Sequence, residues 1–538
     1  MVLAQGMNLL QLPFLGSMLP RAAISLVAAC LVVSCATSPE VPEGQRESRN
    51  PSVASDSSFD RVVLQAYRAI GDRHLYEPNF RNLSVEAYRG FVSSDPSLAL
   101  EASDSSLVVK RDGKEVLVRP APADATDGRA WGTTLVDLMA GSLNASPALQ
   151  QADRQALIRQ AMTATTRQLD RNSRYADPEE ARDNRFQRDG GGGVGITVER
   201  TDDKKILIRA VQEGSPAARA GVVVGDQILS IDGDSMMDRP LSDVVAKLRG
   251  PVGAPVTMTV LRASQGAELS LPMKRGRIVP TTVVYERRGD VALIHLTGFN
   301  TATTENLRAA LDKAKTDIGK DLTGVIIDMR SNRGGLLDQA QSVSEVFIGD
   351  GTIFSTNGRH PDSRRTYRSS NSRPNAGQLP IVVLMNGGSA SAAEIVAAAL
   401  QDRGRAVVIG TTSYGKGTVQ TVVRLANEGE LILTWSRLQA PSGYTWNELG
   451  VLPNICTSKV GDAAKVSTAA VDSNQASLMR WHALRNPTQQ EVADLRKICP
   501  PGDAAPEADV DLAVRLLHDR ALYSHAVQSA TYQAAARP

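Results

Sequence analysis

The sequence predicts a multidomain α/β protein: a mainly helical N-terminal region, a small β-rich module, an α/β core and a helical C-terminal tail. Three observations predict it. From Val291 onward, short apolar runs of strand character alternate with segments of helical spacing, the pattern of a largely parallel sheet flanked by helices. Gly190 to Gly193 form a four-glycine hinge, after which closely spaced short strands begin. Before and after these regions, apolar residues recur at three- and four-residue intervals. A chain of 538 residues has room for roughly three to four such units.

Residues 1–35 read as a lipoprotein-type signal peptide. Arg21 precedes an uncharged apolar run, Ala22 to Val33, too short to span a bilayer. The run ends in Val32-Val33-Ser34-Cys35, where a small residue precedes Cys35, the candidate lipidation site. A removed signal with an incidental cysteine is the plainer alternative, and Met18 makes a cleaner start for the signal than Met1. Residues 36–57, rich in Ser, Pro, Glu and Asp, read as a flexible linker.

Residues 58–189 form the helical N-terminal domain. Val62, Val63, Ala66 and Ile70 share one helical face, as do Leu157, Ile158, Met162 and Leu169 in a second helix. Ser106 to Val118 reads as a hairpin turning at Asp112-Gly113. The β-rich module spans 190–277, with strands at Ile196–Val198, Ile206–Ile208, Gln227–Ile231 and Val256–Val260 and a helix at Ser242–Leu248. The core, 278–458, alternates strands Val291–Leu296, Gly324–Met329, Ile381–Met385 and Ala406–Ile409 with helices Thr304–Ile318, Leu336–Ile348 and Ala392–Leu400. Residues 459–538 are Ala-rich and helical.

Composition excludes some functions. Sixty basic and 58 acidic side chains leave +2, too little to drive binding to nucleic acid by phosphate neutralisation. The six histidines and four cysteines reach no metal-ligand spacing, so no metal and no other cofactor is implied. Of the cysteines, Cys456 and Cys499 lie outside the signal region; in an exported protein they can form a disulfide, two buried thiols being the alternative.

Gly193-Val194-Gly195-Ile196, then Gly214-Ser215-Pro216-Ala217 and Gly221 to Gly233, resemble a bacterial PDZ domain. Turn amides around Gly193, Val194 and Gly195 can receive a peptide carboxylate. The peptide would add as a strand to the edge beginning at Ile196, with the helix bearing Val244 and Leu248 as the other wall.

Three core segments carry chemistry. Asn386-Gly387-Gly388-Ser389-Ala390-Ser391-Ala392-Ala393-Glu394 joins a buried strand to a helix, where a serine hydroxyl is held outward; either serine could instead be a helix cap. Gly415-Lys416-Gly417-Thr418 lacks the hydroxyl that a phosphate loop needs after its lysine, because Gly417 occupies that place. A desolvated Lys416 can act as a general base, and with 13 Lys against 47 Arg a lysine between two glycines stands out. Asp328 to Gly335 ends a strand in paired glycines that can offer an amide to an oxyanion.

Together with the PDZ-like module, these segments resemble the C-terminal processing (tail-specific) serine peptidases, as do Leu169 to Tyr175, Ala440-Pro441-Ser442-Gly443 and Gly450 to Ile455. The resemblance covers about residues 58 to 458. It implies a crotonase/ClpP-like core with Ser391 as nucleophile, Lys416 as base and Gln420 as the group orienting it. It places the oxyanion amides at Ala392 and at Gly334 or Gly335. Ala393 replaces a common second serine, and Asn454 a frequent aspartate. Ser389 is the competing nucleophile. The resemblance further implies an ATP-independent endopeptidase on the periplasmic side of a bacterial cell envelope, anchored to the membrane by its lipid. Its partners would be protein substrates with exposed apolar C-termini, with an adaptor lipoprotein and homo-oligomers as further classes. A catalytically degenerate PDZ scaffold is the alternative.

Overall fold

The computed structural model describes residues 57–459, 468–485, 487–503 and 505–530. The signal, its Cys35 and nearly all of the linker lie outside the described residues.

Uninterrupted apolar runs such as Ile381–Met385 suit strands covered on both faces. The core sheet is built from six strands, numbered here β1 (Val283–Arg288), β2 (Val291–Leu296), β3 (Gly324–Asp328), β4 (Ile381–Met385), β5 (Val407–Gly410) and β6 (Ile455–Cys456). They lie side by side in that order, β1 antiparallel to β2 and the rest parallel. Side chains of alternate residues leave opposite faces. On one face Ile294, Ile327, Val383 and Val408 pack against α1 (Thr303–Ile318), α2 (Leu337–Phe347) and α3 (Ala392–Asp402). Every residue of α3 from Ala392 to Asp402 is buried, which its small side chains permit.

The opposite face is covered by the C-terminal tail. Leu293, Ile326, Val382, Leu384 and Ile409 pack against Val471 of α4 (Thr468–Ala483), Val510, Leu512, Ala513, Leu516 and Leu517 of α6 (Glu507–His518), and Leu522 and Ala526 of α7 (Arg520–Ala530). Between α4 and α6 lies α5 (Gln489–Arg496). The described helices from 468 onward thus cover the core sheet rather than extend from it. The Cys456–Cys499 disulfide is formed.

A second sheet, ordered Arg365–Ser369, Gly351–Asn357, Glu430–Gln439, Thr418–Arg424, lies beside the first, and Arg174–Ala176 adds to its Glu430–Gln439 strand. Its hairpin, 418–439, sends Leu425, Leu431 and Leu433 into the core of the N-terminal helices, among Phe59, Ile70, Phe91, Trp131 and Met162. Asp170 fixes this junction by accepting from Ser173 Oγ at 2.5 Å, Thr434 Oγ1 at 2.7 Å and the Asn172 amide at 2.8 Å, and by pairing with His74 at 2.9 Å. Burial pushes the Asp170 carboxyl up, but hydrogen bonds from His74, Ser173 and Thr434 outweigh it and hold it well below the usual range. The N-terminal hairpin gains a third strand, Leu98–Ala102, ahead of the predicted two.

The β-rich module is a sheet ordered 267–274, 255–262, 227–231, 206–211, 196–200, so Ile196–Arg200 is a free edge. Its helix, Leu241–Leu248, corrects one expectation. Val244 and Leu248 are buried in the module's own core with Ile206, Ile231 and Met258 and do not line a wall; Leu241 and Val245 are the half-exposed apolar residues of that helix. The i, i+4 pair marks the core face, and the neighbouring stripe lies about 100° round the helix.

Leu516 is fully buried against the sheet. Leu516→Ala is expected to lower stability by about 2–5 kcal/mol, measured by urea denaturation.

Candidate functional site

The turn between β4 and α3 carries both candidate serines, and their surroundings separate them. Ser389 is fully buried; its Oγ donates to the Met329 carbonyl at 2.8 Å and accepts the Asn386 amide at 3.0 Å. It holds the turn against the end of β3. Ser391 is half-buried and has φ +57°, ψ −115°, a conformation rare for a residue with a side chain. Such strain costs about 1–3 kcal/mol and persists where the surroundings enforce it. The next residue, Ala392, begins α3, and its amide donates to no group among the described residues.

Glu394 is what enforces the turn. It lies three residues past Ser391, fully buried. Its Oε2 accepts the amides of Ser391 at 2.8 Å and Lys416 at 2.9 Å; its Oε1 accepts the Gly415 amide at 2.7 Å and the Ser413 hydroxyl. One carboxylate therefore joins the serine turn to the lysine loop through backbone amides. Burial pushes its pKa up, while these four donors favour the charged form.

Lys416 is half-buried between two glycines that must remain glycines. Gly415 has φ +93°, and a Cβ there would lie 2.9 Å from the Glu448 carbonyl carbon; a Cβ on Gly417 would strike the Asn447 backbone nitrogen. Desolvation lowers the Lys416 pKa, and the positive charge of Arg174 lowers it further, against the charges of Glu394 and Asp170. The balance of these effects moves the amine toward its neutral form. No hydrogen bond joins Lys416 Nζ to Ser391 Oγ among the described residues, nor does Gln420 reach the lysine: its Nε2 donates to Thr418 Oγ1 at 3.0 Å. A bulge between Val419 and Gln420 re-aims that side chain.

The paired glycines lie against the serine. A Cβ on Gly334, whose φ is +90°, would sit 2.8 Å from the Ala392 amide nitrogen and 2.9 Å from Ser391 Cβ. The Gly334 amide is committed to Asn332 Oδ1 at 2.8 Å, whereas the Gly335 amide donates to nothing among the described residues. Buried Asn332 also donates through Nδ2 to the Leu296 carbonyl at 2.6 Å, and its carbonyl accepts the Ala390 amide at 2.8 Å, tying β2, the glycine turn and the serine turn together. At the head of the glycine turn, Asp328 and Arg330 form a two-pronged ion pair at 2.7 and 2.9 Å, and Arg330 continues to Asp509 of the tail at 3.4 Å.

This geometry can be set beside known proteins. The model for peptidase family S41 matches residues 290–457, and a PDZ-domain model matches 207–262. A carboxy-terminal-processing protease of Bartonella bacilliformis is 40% identical over 311 residues, covering 56% of this chain and 70% of that protein. The chain belongs to peptidase family S41. A probable CtpA-like serine protease of Staphylococcus aureus is 32% identical over 289 residues, covering 51% of this chain and 57% of the relative. Among solved structures, a photosystem II D1 C-terminal processing protease aligns at 22% identity over 74% of this chain and 92% of its own, with a TM-score of 0.37. This S41 member is accordingly a serine-type peptidase carrying a PDZ domain.

In that PDZ domain, the amides of Val194 and Gly195 donate to no group among the described residues, while their carbonyls accept the amides of Ala217 and Gln212 at 2.9 Å. These two unpaired donors lie beside the free edge at Ile196, in residues that are themselves buried. Gly193 is instead paired with Gly276 in a short ribbon. Sequence reasoning missed Glu394 and Asn332. The available signal for Glu394 was an acidic residue one turn into an otherwise apolar helix.

Two outcomes follow for the site. Glu394→Gln turns an NH2 group toward amide donors in either orientation. It is expected to cost about 1–3 kcal/mol in urea denaturation and to lower turnover by about 100-fold through loop displacement. Arg174→Met removes a cation that depresses Lys416, so the Lys416 pKa, followed by NMR of the labelled side chain, is expected to rise.

Proposed function

We propose that this S41 peptidase is an ATP-independent endopeptidase with a Ser391–Lys416 dyad, acting on exported proteins whose apolar C-terminal tails dock on the PDZ edge. The observation that carries the reading is the strained Ser391 tied by Glu394 to the backbone of the lysine loop. Neutral Lys416 takes the Ser391 proton as Oγ bonds to the scissile carbonyl carbon. The oxyanion is received by the Ala392 amide and by that of Gly335, since Gly334's is already taken. As the C–N bond breaks, the lysine returns its proton to the leaving amine; water then attacks the ester carbon, giving a proton to Lys416, which passes it to Ser391 Oγ as the acyl–oxygen bond breaks, so that the acid product leaves and neutral Lys416 and free Ser391 are restored. Gln420 would orient the amine after leaving Thr418.

A tail entering the PDZ domain would place its carboxylate on the Val194 and Gly195 amides and pair with Ile196–Arg200, with Leu241 and Val245 rather than Val244 and Leu248 across the groove. The disulfide fits an oxidising compartment, in keeping with the periplasmic side of a bacterial envelope and a lipid anchor at Cys35. An adaptor lipoprotein or self-association would then act on a membrane-held enzyme. The separation of Ser391 from Lys416 in hydrogen-bonding terms favours the second reading, a PDZ scaffold without catalysis.

Cleavage of an unstructured, tailed protein by the purified chain distinguishes them. Proteolysis without ATP is expected, with Ser391→Ala and Lys416→Arg each lowering it by about 10⁴-fold and Ser389→Ala retaining Ser391-dependent activity. Undiminished proteolysis by Ser391→Ala would overturn the dyad.

A further inference from the structure

The segment after α5, Lys497 to Asp503, touches both loops of the site and belongs to neither. Its Gly502 carbonyl accepts the Gly387 amide at 2.7 Å, and its Asp503 carbonyl accepts Asn386 Nδ2 at 3.1 Å, so it backs the serine turn. A Cβ on Gly387 would lie 3.2 Å from Pro501, Gly502 and Asp503 alike, which shows how closely the segment is seated. The same segment backs the lysine loop: the Cys499 carbonyl accepts Thr412 Oγ1 at 2.6 Å, and Gly502 exchanges hydrogen bonds with Thr411 Oγ1 at 3.2 and 3.3 Å.

Arg496, the last residue of α5, adds a third support. Its Nη1 donates to the carbonyls of Leu449 at 2.8 Å, Glu448 at 3.1 Å and Ser413 at 3.3 Å. Ser413 is a Glu394 donor, and Glu448 is the residue against which Gly415 packs. A guanidinium in this place collects three carbonyls left without strand partners, a task for a charged, multi-donor group. What pins the segment to the sheet covalently is the Cys456–Cys499 disulfide, from β6 to the residue just beyond α5.

We infer that Arg496 and the Cys499–Asp503 segment, pinned by the Cys456–Cys499 disulfide, are positioning elements that set the serine turn against the lysine loop, so that turnover depends on the oxidised state of this pair. The inference rests on the Ser391–Lys416 reading. Arg496 acts through the loop backbone and touches no reacting atom. Reduction by dithiothreitol adds two electrons and two protons to the S–S bond, giving two thiols while the reagent closes to its own disulfide. The segment is then held by hydrogen bonds alone.

The test uses the full chain with an unstructured fluorogenic polypeptide. Dithiothreitol, with thiol titration confirming two new thiols that the Cys456→Ser/Cys499→Ser double variant does not gain, is expected to lower kcat by about 10- to 100-fold, the scale of a sub-ångström to ångström misplacement. KM should stay within about twofold and reoxidation should restore the rate. The Cys456→Ser/Cys499→Ser double variant should show the lowered kcat without reductant and no further response to it. Arg496→Ala should lower kcat and shift the rising limb of the pH–rate profile, and Arg496→Lys should recover part of both. Unchanged kcat in reduced enzyme and in Arg496→Ala overturns the inference. So does a loss of rate that tracks loss of the folded near-UV circular dichroism signal, since the disulfide then merely holds the fold. If Ser391→Ala cleaves as well as the parent chain, the dyad itself has failed. Parent activity that needs Ser391 but ignores reduction and Arg496 leaves the dyad standing and removes only the clamp.

Discussion

A single buried carboxylate sets the geometry on which the site depends. Glu394 meets only donors: three backbone amides and a hydroxyl, one from the serine turn three residues back and the others from the lysine loop 19 to 22 residues on. A neutral amide cannot satisfy four donors, and an apolar residue would orphan them, so the position needs an acceptor-only group. Isolated, such a buried charge would cost several kcal/mol; here the donors offset much of that cost, and their backbones are fixed in return. The strained dihedrals of Ser391 fit this arrangement, because its amide is held by Glu394 while Gly334 lies against its Cβ. Strain at the serine and desolvation at the lysine are two results of one packing arrangement.

Glycine has a distinct use here. Gly334, Gly415 and Gly417 occur where one backbone lies directly on another, leaving no space for a Cβ. These approaches bring polar main chain, rather than side chains, to the serine and lysine, and main chain is stiffer and cannot ionise. On the Lys416 amine itself, Arg174, Glu394 and Asp170 act by field. Arg174 and desolvation lower the lysine pKa while Asp170 and Glu394 raise it.

Much of this was legible in the sequence where one physical cause dominates. Continuous apolar runs gave the parallel strands because strands covered on both faces cannot alternate. The serine turn, lysine loop and glycine turn were legible as a set because their glycines and small residues match a family pattern, each alone being compatible with an ordinary cap or turn. Other features depend on context. Val244 and Leu248 share a helical face, but periodicity does not say whether that face meets a core or a groove. Ser389 and Ser391 differ only in what surrounds them, and one bulge decides where Gln420 points. The tail was readable as helices, yet amphipathic spacing reveals a buried face without naming its partner. That partner is the sheet itself.

The hairpin 418–439 has a further consequence. Leu425, Leu431 and Leu433 complete a hydrophobic core whose remaining members come chiefly from residues 59–162. More than two hundred and fifty residues, including the whole PDZ domain, separate the two contributions. A chain emerging from its N-terminus thus presents helices with an open apolar face until the hairpin arrives, and closing so long a loop delays that event. The N-terminal helices therefore share one hydrophobic core with a hairpin that begins two residues after Lys416, so the lysine loop is held by a core that lies outside its own sheet.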